Sequence, residues 1–198
     1  LKQAYGALAS IGRRWGWHDP ERMARIATRL PMPSVEAADD RTSAALGEIL
    51  TKVATAIQPP NSDLQTRALQ FFASIHAPND FQRQKHAELL LAMERFADAQ
   101  VALSGIADIQ TKPFAAYRLS QSRLGQGDPA EALSLINAAL DRLEPKHAHF
   151  RSAFLAHRFD VRQALFDAKA IEDLDEAISV CEPGKYQDML ARKRASLT

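Results

Sequence analysis

The sequence predicts an all-α chain of helical hairpins stacked as an α-solenoid, about ten or eleven helices in all. Three observations carry this. Apolar residues recur at intervals of three and four, as in Ile171, Leu174, Ile178 and Cys181. Strand signals are missing: there is no sustained alternation, no Asn-Gly or Asp-Gly turn, and few clustered β-branched residues. Prolines and a Gly-Asp-Pro turn interrupt the apolar runs at helix-length spacing.

Composition bounds the functional classes. Of 198 residues 46% are hydrophobic, enough to bury a sizeable core, and 25% are charged. The formal net charge of +1 gives no global pull toward nucleic acid or an anionic membrane. No apolar run approaches the ~18 residues of a bilayer span. The opening LKQAYGALASIGRRWGW lacks the blocks and cleavage site of a secretory signal. A single cysteine, Cys181, precludes an internal disulfide framework and fits a reducing, cytoplasmic setting. Mature chains rarely begin with Leu, so the expectation is a piece of a longer polypeptide.

The elements follow in order. Ala4, Leu8, Ile11 and Trp15 form a first stripe, broken by residues 16–20. Asp19-Pro20 supplies a cap and a first-turn proline for a second helix carrying Met23, Ile26, Ala27 and Leu30, ended by Pro31 and Pro33. Residues 1–33 thus read as an N-terminal hairpin, 32–40 as a linker, and 41–198 as the repeat region; one continuous domain over 1–198 is the alternative. A long helix then carries Leu46, Ile49, Leu50, Val53 and Ile57 up to Pro59-Pro60. The next, capped by Ser62 or Asp63, carries Leu64, Ala68, Phe71, Phe72 and Ile75 and is closed by Pro78. A pair follows from about Asp80 to Arg95 and from Phe96 to Ile106. Another spans Pro113 to Pro145. A longer helix carries Phe150, Phe154, Val161 and Leu165, a short one Ile171 to Cys181, and a last one Tyr186, Met189 and Leu190.

The second helices align on a small residue. Ala68, Ala99 and Ala132 lie 31 and 33 residues apart, and Ala177 occupies the matching place after a longer insertion. From Pro113 to Pro145, Leu119 and Ser120 fall on the first helix and Gly127 at the turn. Ala132, Ile136 and Ala139 fall on the second helix, with Pro145 at the end. This segment resembles the tetratricopeptide repeat family, with weaker copies over about Asp80 to Pro183. The physics agrees: small residues let helices approach closely, and Asp128, Pro129 and Glu131 form a helix-start signal. The family's first-helix aromatic positions hold Ala116 and Arg123 here, and the copy around Ala99 has Leu90 in place of the tyrosine.

No catalytic constellation emerges. His147 and His149 point to nearly opposite sides of a helix, and His157 lies two turns beyond His149, so a metal site is not expected. Cys181 reads as a buried structural thiol. LGQGDP holds G-x-G without a third glycine or preceding strand, which makes it a helix turn and not a dinucleotide cradle. Asp39-Asp40 and Glu172-Asp173 read as caps and helix-dipole partners. Arg13, Arg14, Trp15, Trp17 and His18, with Arg22, Arg25 and Arg29, form the one basic and aromatic cluster. Its favoured reading is a solvated face; phosphate binding is the alternative.

The resemblance implies a concave groove lined by first helices that takes a peptide or a helix. The matching positions are Gln84, Lys85 and Glu88, then Tyr117, Arg118 and Gln121, then Phe150, Arg151, Phe154, His157 and Arg158. Tyr117 and Gln121 replace the Lys and Asn that some family members use to clamp a C-terminal carboxylate. The expectation is therefore a non-enzymatic protein-interaction module, with no cofactor and a protein or peptide partner, homo-oligomerisation being left open. The alternatives are a sensor domain of a multidomain NTPase or nuclease, and an all-α nucleic-acid binder using the N-terminal arginines.

Overall fold

The computed structural model describes residues 5–7, 9–10, 32–56 and 62–197, without the side chains of 55 and 56. The second N-terminal helix and the Arg/Trp cluster lie outside them. Among the described residues every regular element is helical. The chain divides into two units, Leu1–Met93 and Glu94–Thr198. The boundary falls inside the stretch that the sequence reading runs as one repeat region.

The first unit holds a 3₁₀ turn at Val35–Ala37, then α1 (Asp40–Ala56), α2 (Ser62–Ala73) and α3 (Asp80–Ala92). Asp39 starts α1, its Oδ1 accepting from the Thr42 N–H at 2.9 Å. The helices α1 and α2 form a hairpin that closes on Gly47, where a Cβ would lie 2.9 Å from the Phe72 ring. Leu46, Ile49, Leu50 and Val53 meet Ala68, Phe71, Phe72 and Ile75 in one core, joined by Leu89 of α3 and by Tyr5 and Ala9. α2 ends at Ala73, short of Pro78, and α3 begins with a reciprocal Asn79–Gln82 capping box.

The second unit is a run of helices, each packed on the next in sequence. They are α4 (Phe96–Leu103), α5 (Pro113–Gly125), α6 (Pro129–Asp141), α7 (Arg151–Ala164), α8 (Ala170–Ser179) and α9 (Lys185–Ala195). The turn after α5 has the form the sequence announces. Gly127 takes φ 80°, and the Gly127 and Asp128 N–H groups bond back to the Leu124 and Arg123 carbonyls. Asp128 then caps α6 through the Glu131 N–H at 3.1 Å, with Pro129 in the first position. Ala132, Ile136 and Ala139 are fully buried, as are Ala68, Ala99 and Ala177. Ser120 on α5 is buried too, and its hydroxyl donates to the Ala132 carbonyl at 2.7 Å.

The unit departs from the sequence reading in three places. Phe150 does not lie within the long helix; it ends a 3₁₀ segment, Pro145–Phe150, and α7 starts at Arg151. Ala132 lies one turn into α6, whereas Ala177 lies two turns into α8, where its carbonyl accepts from the Ser152 hydroxyl at 2.8 Å. The two alanines therefore sit at different depths from their turns. Cys181 is only half-buried, because α8 ends at Ser179 and leaves it in the connection.

Gly125 does work that its sequence context does not announce. A Cβ there would lie 2.3 Å from the Phe96 ring, so α4 crosses α5 at a point only glycine leaves open.

Candidate functional site

The expected groove positions fall in both units, and each set is described by itself. In the first unit Glu88 is the hub of a charge cluster. Its Oε1 accepts from Lys52 Nζ of α1 at 2.7 Å and its Oε2 from Lys85 Nζ at 2.9 Å. The Lys52–Glu88 pair thus holds α3 to α1, Lys85 braces Glu88 from within α3, and Gln84 is half-buried. Lys85 also lines a cleft of about 420 Å³ together with Ala44, Ala45, Glu48, Phe72 and Phe81.

In the second unit the α7 positions are corrected. Phe154 is 1% exposed and His157 is 8% exposed, so both belong to the core and not to a groove. The reason is that α7 packs against α5, α6 and α8, with Leu190 of α9 in the same core. Phe154 lies flat beneath Tyr117, ring centroids 4.4 Å apart and 9° from parallel. Arg151 turns to α8, where Nη2 meets Glu176 Oε1 at 2.7 Å. Arg158 does the same with Asp173 at 2.6 Å, while Arg162 holds the other oxygen of Asp173 at 2.9 Å. Asp173, 2% exposed, is thereby a core ion-pair centre and not the helix cap that the sequence reading makes it.

His157 and Ser120 lie 2.9 Å apart, Nε2 to Oγ. They do not form a nucleophile–base pair. The Ser120 hydroxyl proton is given to the Ala132 carbonyl, so Nε2 must carry the proton of the imidazole and donate to Oγ. A nitrogen that donates cannot deprotonate the serine. Burial pushes the His157 pKa down to about 4, which keeps the ring neutral.

What remains at the surface is a face on α5 and α9. Tyr117 of α5 is half-buried with Arg118 over its ring at 6.0 Å. The Gln121 amide donates to the Tyr117 hydroxyl at 3.1 Å, and its carbonyl oxygen is buried without a hydrogen-bond partner. Phe150 is 40% exposed, with Phe114 edge-on at 4.9 Å. From α9 come Tyr186 and Met189, 42% and 49% exposed. Burial, then the nearby Tyr117, Cys181 and Asp160, push the Tyr186 phenol up to about 12, so it stays protonated. Lys193 lies over the Phe159 ring at 4.6 Å and pairs with Asp160 of α7. This pair joins α9 to α7.

Tyr186 and Met189 are expected on the last helix but not among the groove positions, because they lie beyond the last recognisable repeat. The signal was their spacing: Tyr186, Met189 and Lys193 share a helix face at i, i+3 and i+7.

Elsewhere, His147 packs edge-on against Phe114 at 5.1 Å, and His149 lies against Phe150 at 4.1 Å. Among the described residues no three His, Cys, Asp or Glu side chains gather as a metal-ligand group, and no helix is long and apolar enough to cross a membrane. The chain matches no protein-family model, no curated protein and no solved structure.

Proposed function

We propose that the second unit is a tetratricopeptide-like helical stack that binds a peptide or helix of a protein partner on its α5–α9 face. The supporting observation is a set of apolar side chains left partly open to solvent: Phe150, Tyr186 and Met189 are 40%, 42% and 49% exposed, beside the half-buried Tyr117. They supply apolar contact for a peptide or helix, and the Gln121 amide donates to the Tyr117 hydroxyl. The sequential packing of α4 to α9 and the helix-start turn at Gly127–Asp128 fit the repeat reading. A carboxylate clamp is not favoured, since the nearby ammonium, Lys193, is already paired with Asp160.

The test is selection of peptides from a displayed random library on the immobilised chain, followed by binding to wild type and to a Tyr117→Ala, Arg118→Glu variant of unchanged circular dichroism. The expected result is on the order of thirtyfold weaker binding in the variant. Unchanged binding by a folded variant overturns the assignment of this face.

A further inference from the structure

Phe166 occupies a position where the physics disfavours it twice. It ends α7 in a left-handed turn, φ 56°, with the Phe166 and Asp167 N–H groups bonded back to the Gln163 and Arg162 carbonyls. The turn after α5 has the same bonding, and there the left-handed residue is Gly127. A bulky side chain in that region is strained, and glycine relieves it. The ring gains nothing in return within the chain: Phe166 is 96% exposed, the neighbouring Leu165 36%. An aromatic side chain presented at a turn tip and almost wholly in solvent is the form of an interface anchor.

The same unit carries a receptacle of matching size. A cleft of about 150 Å³ opens beside α4, α5 and the 3₁₀ turn Ile109–Thr111 between them, its apolar wall made by Leu103, Ile106, Ile109 and Leu119 and its polar lining by Gln100, Ser104 and Arg123. An apolar cavity of roughly that volume accommodates a benzene ring. The Arg123 guanidinium, held by Glu131 Oε2 at 3.0 Å, adds a cation to the cleft wall against which a ring face is favourable. The tip lies between α7 and α8, the cleft at α4 and α5.

We propose that the chain self-associates head to tail, the Phe166 ring of one copy entering the Leu103–Leu119 cleft of a second copy. The two surfaces are different, so the contact is heterologous, and each added copy leaves one tip and one cleft unused. Association is therefore open-ended, and its mass grows with concentration instead of stopping at a dimer.

The experiment is sedimentation velocity of the full chain over increasing concentration, for wild type and two variants. Phe166→Gly removes the ring and relaxes the turn, so it melts higher than wild type. Ser104→Trp fills the cleft from its rim; Gln100→Trp is the substitute should the first fail to fold. Wild type is expected to grow in average mass without a plateau. Each variant alone is expected to associate on the order of thirtyfold more weakly. An equimolar mixture of the two retains one intact tip and one intact cleft, and so forms one-to-one pairs that grow no further. A wild type that stays monomeric, a Phe166→Gly variant that associates undiminished, or a mixture that does not pair overturns the proposal.

Discussion

Acidification is expected to weaken the second unit through His157, and the size of the effect can be worked from its surroundings. In the folded chain the ring is buried against Ser120, with Tyr117 edge-on at 5.4 Å, and its pKa falls from 6.5 to about 4; burial is the main cause, and the charge of Lys193 adds to it. The unfolded chain takes up its proton near pH 6.5 and the folded chain only near pH 4. The contribution of His157 is thus complete above pH 6.5 and is lost as the pH falls from 6.5 to 4. A displacement of this size corresponds to about 3 kcal/mol, a large share of the margin of an ordinary domain. Urea unfolding followed by circular dichroism at intervals from pH 7.5 to 4 measures it, with His157→Gln as reference because its amide nitrogen can reach Ser120 but does not titrate. Exposed carboxylates held low by their partners, such as Asp40 beside His76 and Glu144 beside Lys146, also lose stabilisation in acid. They are common to both proteins and cancel in the difference. Parallel pH profiles for the two proteins, or a His157 imidazole that titrates near 6.5 by NMR, would refute the reasoning.

Two substitutions test the packing. Gly125→Ala places a methyl group in the Phe96 ring and is expected to cost about 1–3 kcal/mol, relieved when Phe96→Leu is added; an isolated effect unrelieved by the second change would show that α4 does not cross α5 there. Asp173→Asn leaves Arg158 and Arg162 without their shared carboxylate and is expected to cost about 3 kcal/mol or more in thermal or urea unfolding, against a small loss for Asp175→Asn, whose partner Arg194 is at the surface.

Local features were legible wherever a residue type has a local reason. The turn at Gly127, the cap at Asp128, the small residues at Ser120 and Ala132, and the apolar stripes of α1 and α2 all stand where spacing and turn chemistry place them. Which of the expected groove positions stay at the surface was legible only in part. Tyr117 and Gln121 remain at the surface of the second unit, whereas Phe154 and His157 lie inside it, because α5 packs over that face of α7. No local pattern announces that covering. Asp173 illustrates the same point: in the sequence it is one acid in the first turn of a helix, and only the approach of α7 makes it the partner of two arginines.

What the sequence by itself determined is the helical class, most turn positions, and which faces are apolar. These follow from backbone and side-chain preferences acting over a few residues. The tertiary structure alone decided three things. It turned Gly125 from a turn residue into a helix crossing. It divided the expected groove between two units and buried its α7 portion. It left Phe166 bare in a left-handed turn. Each depends on what packs from a distant part of the chain, and a spacing of three and four residues carries no information about which neighbour will cover a face.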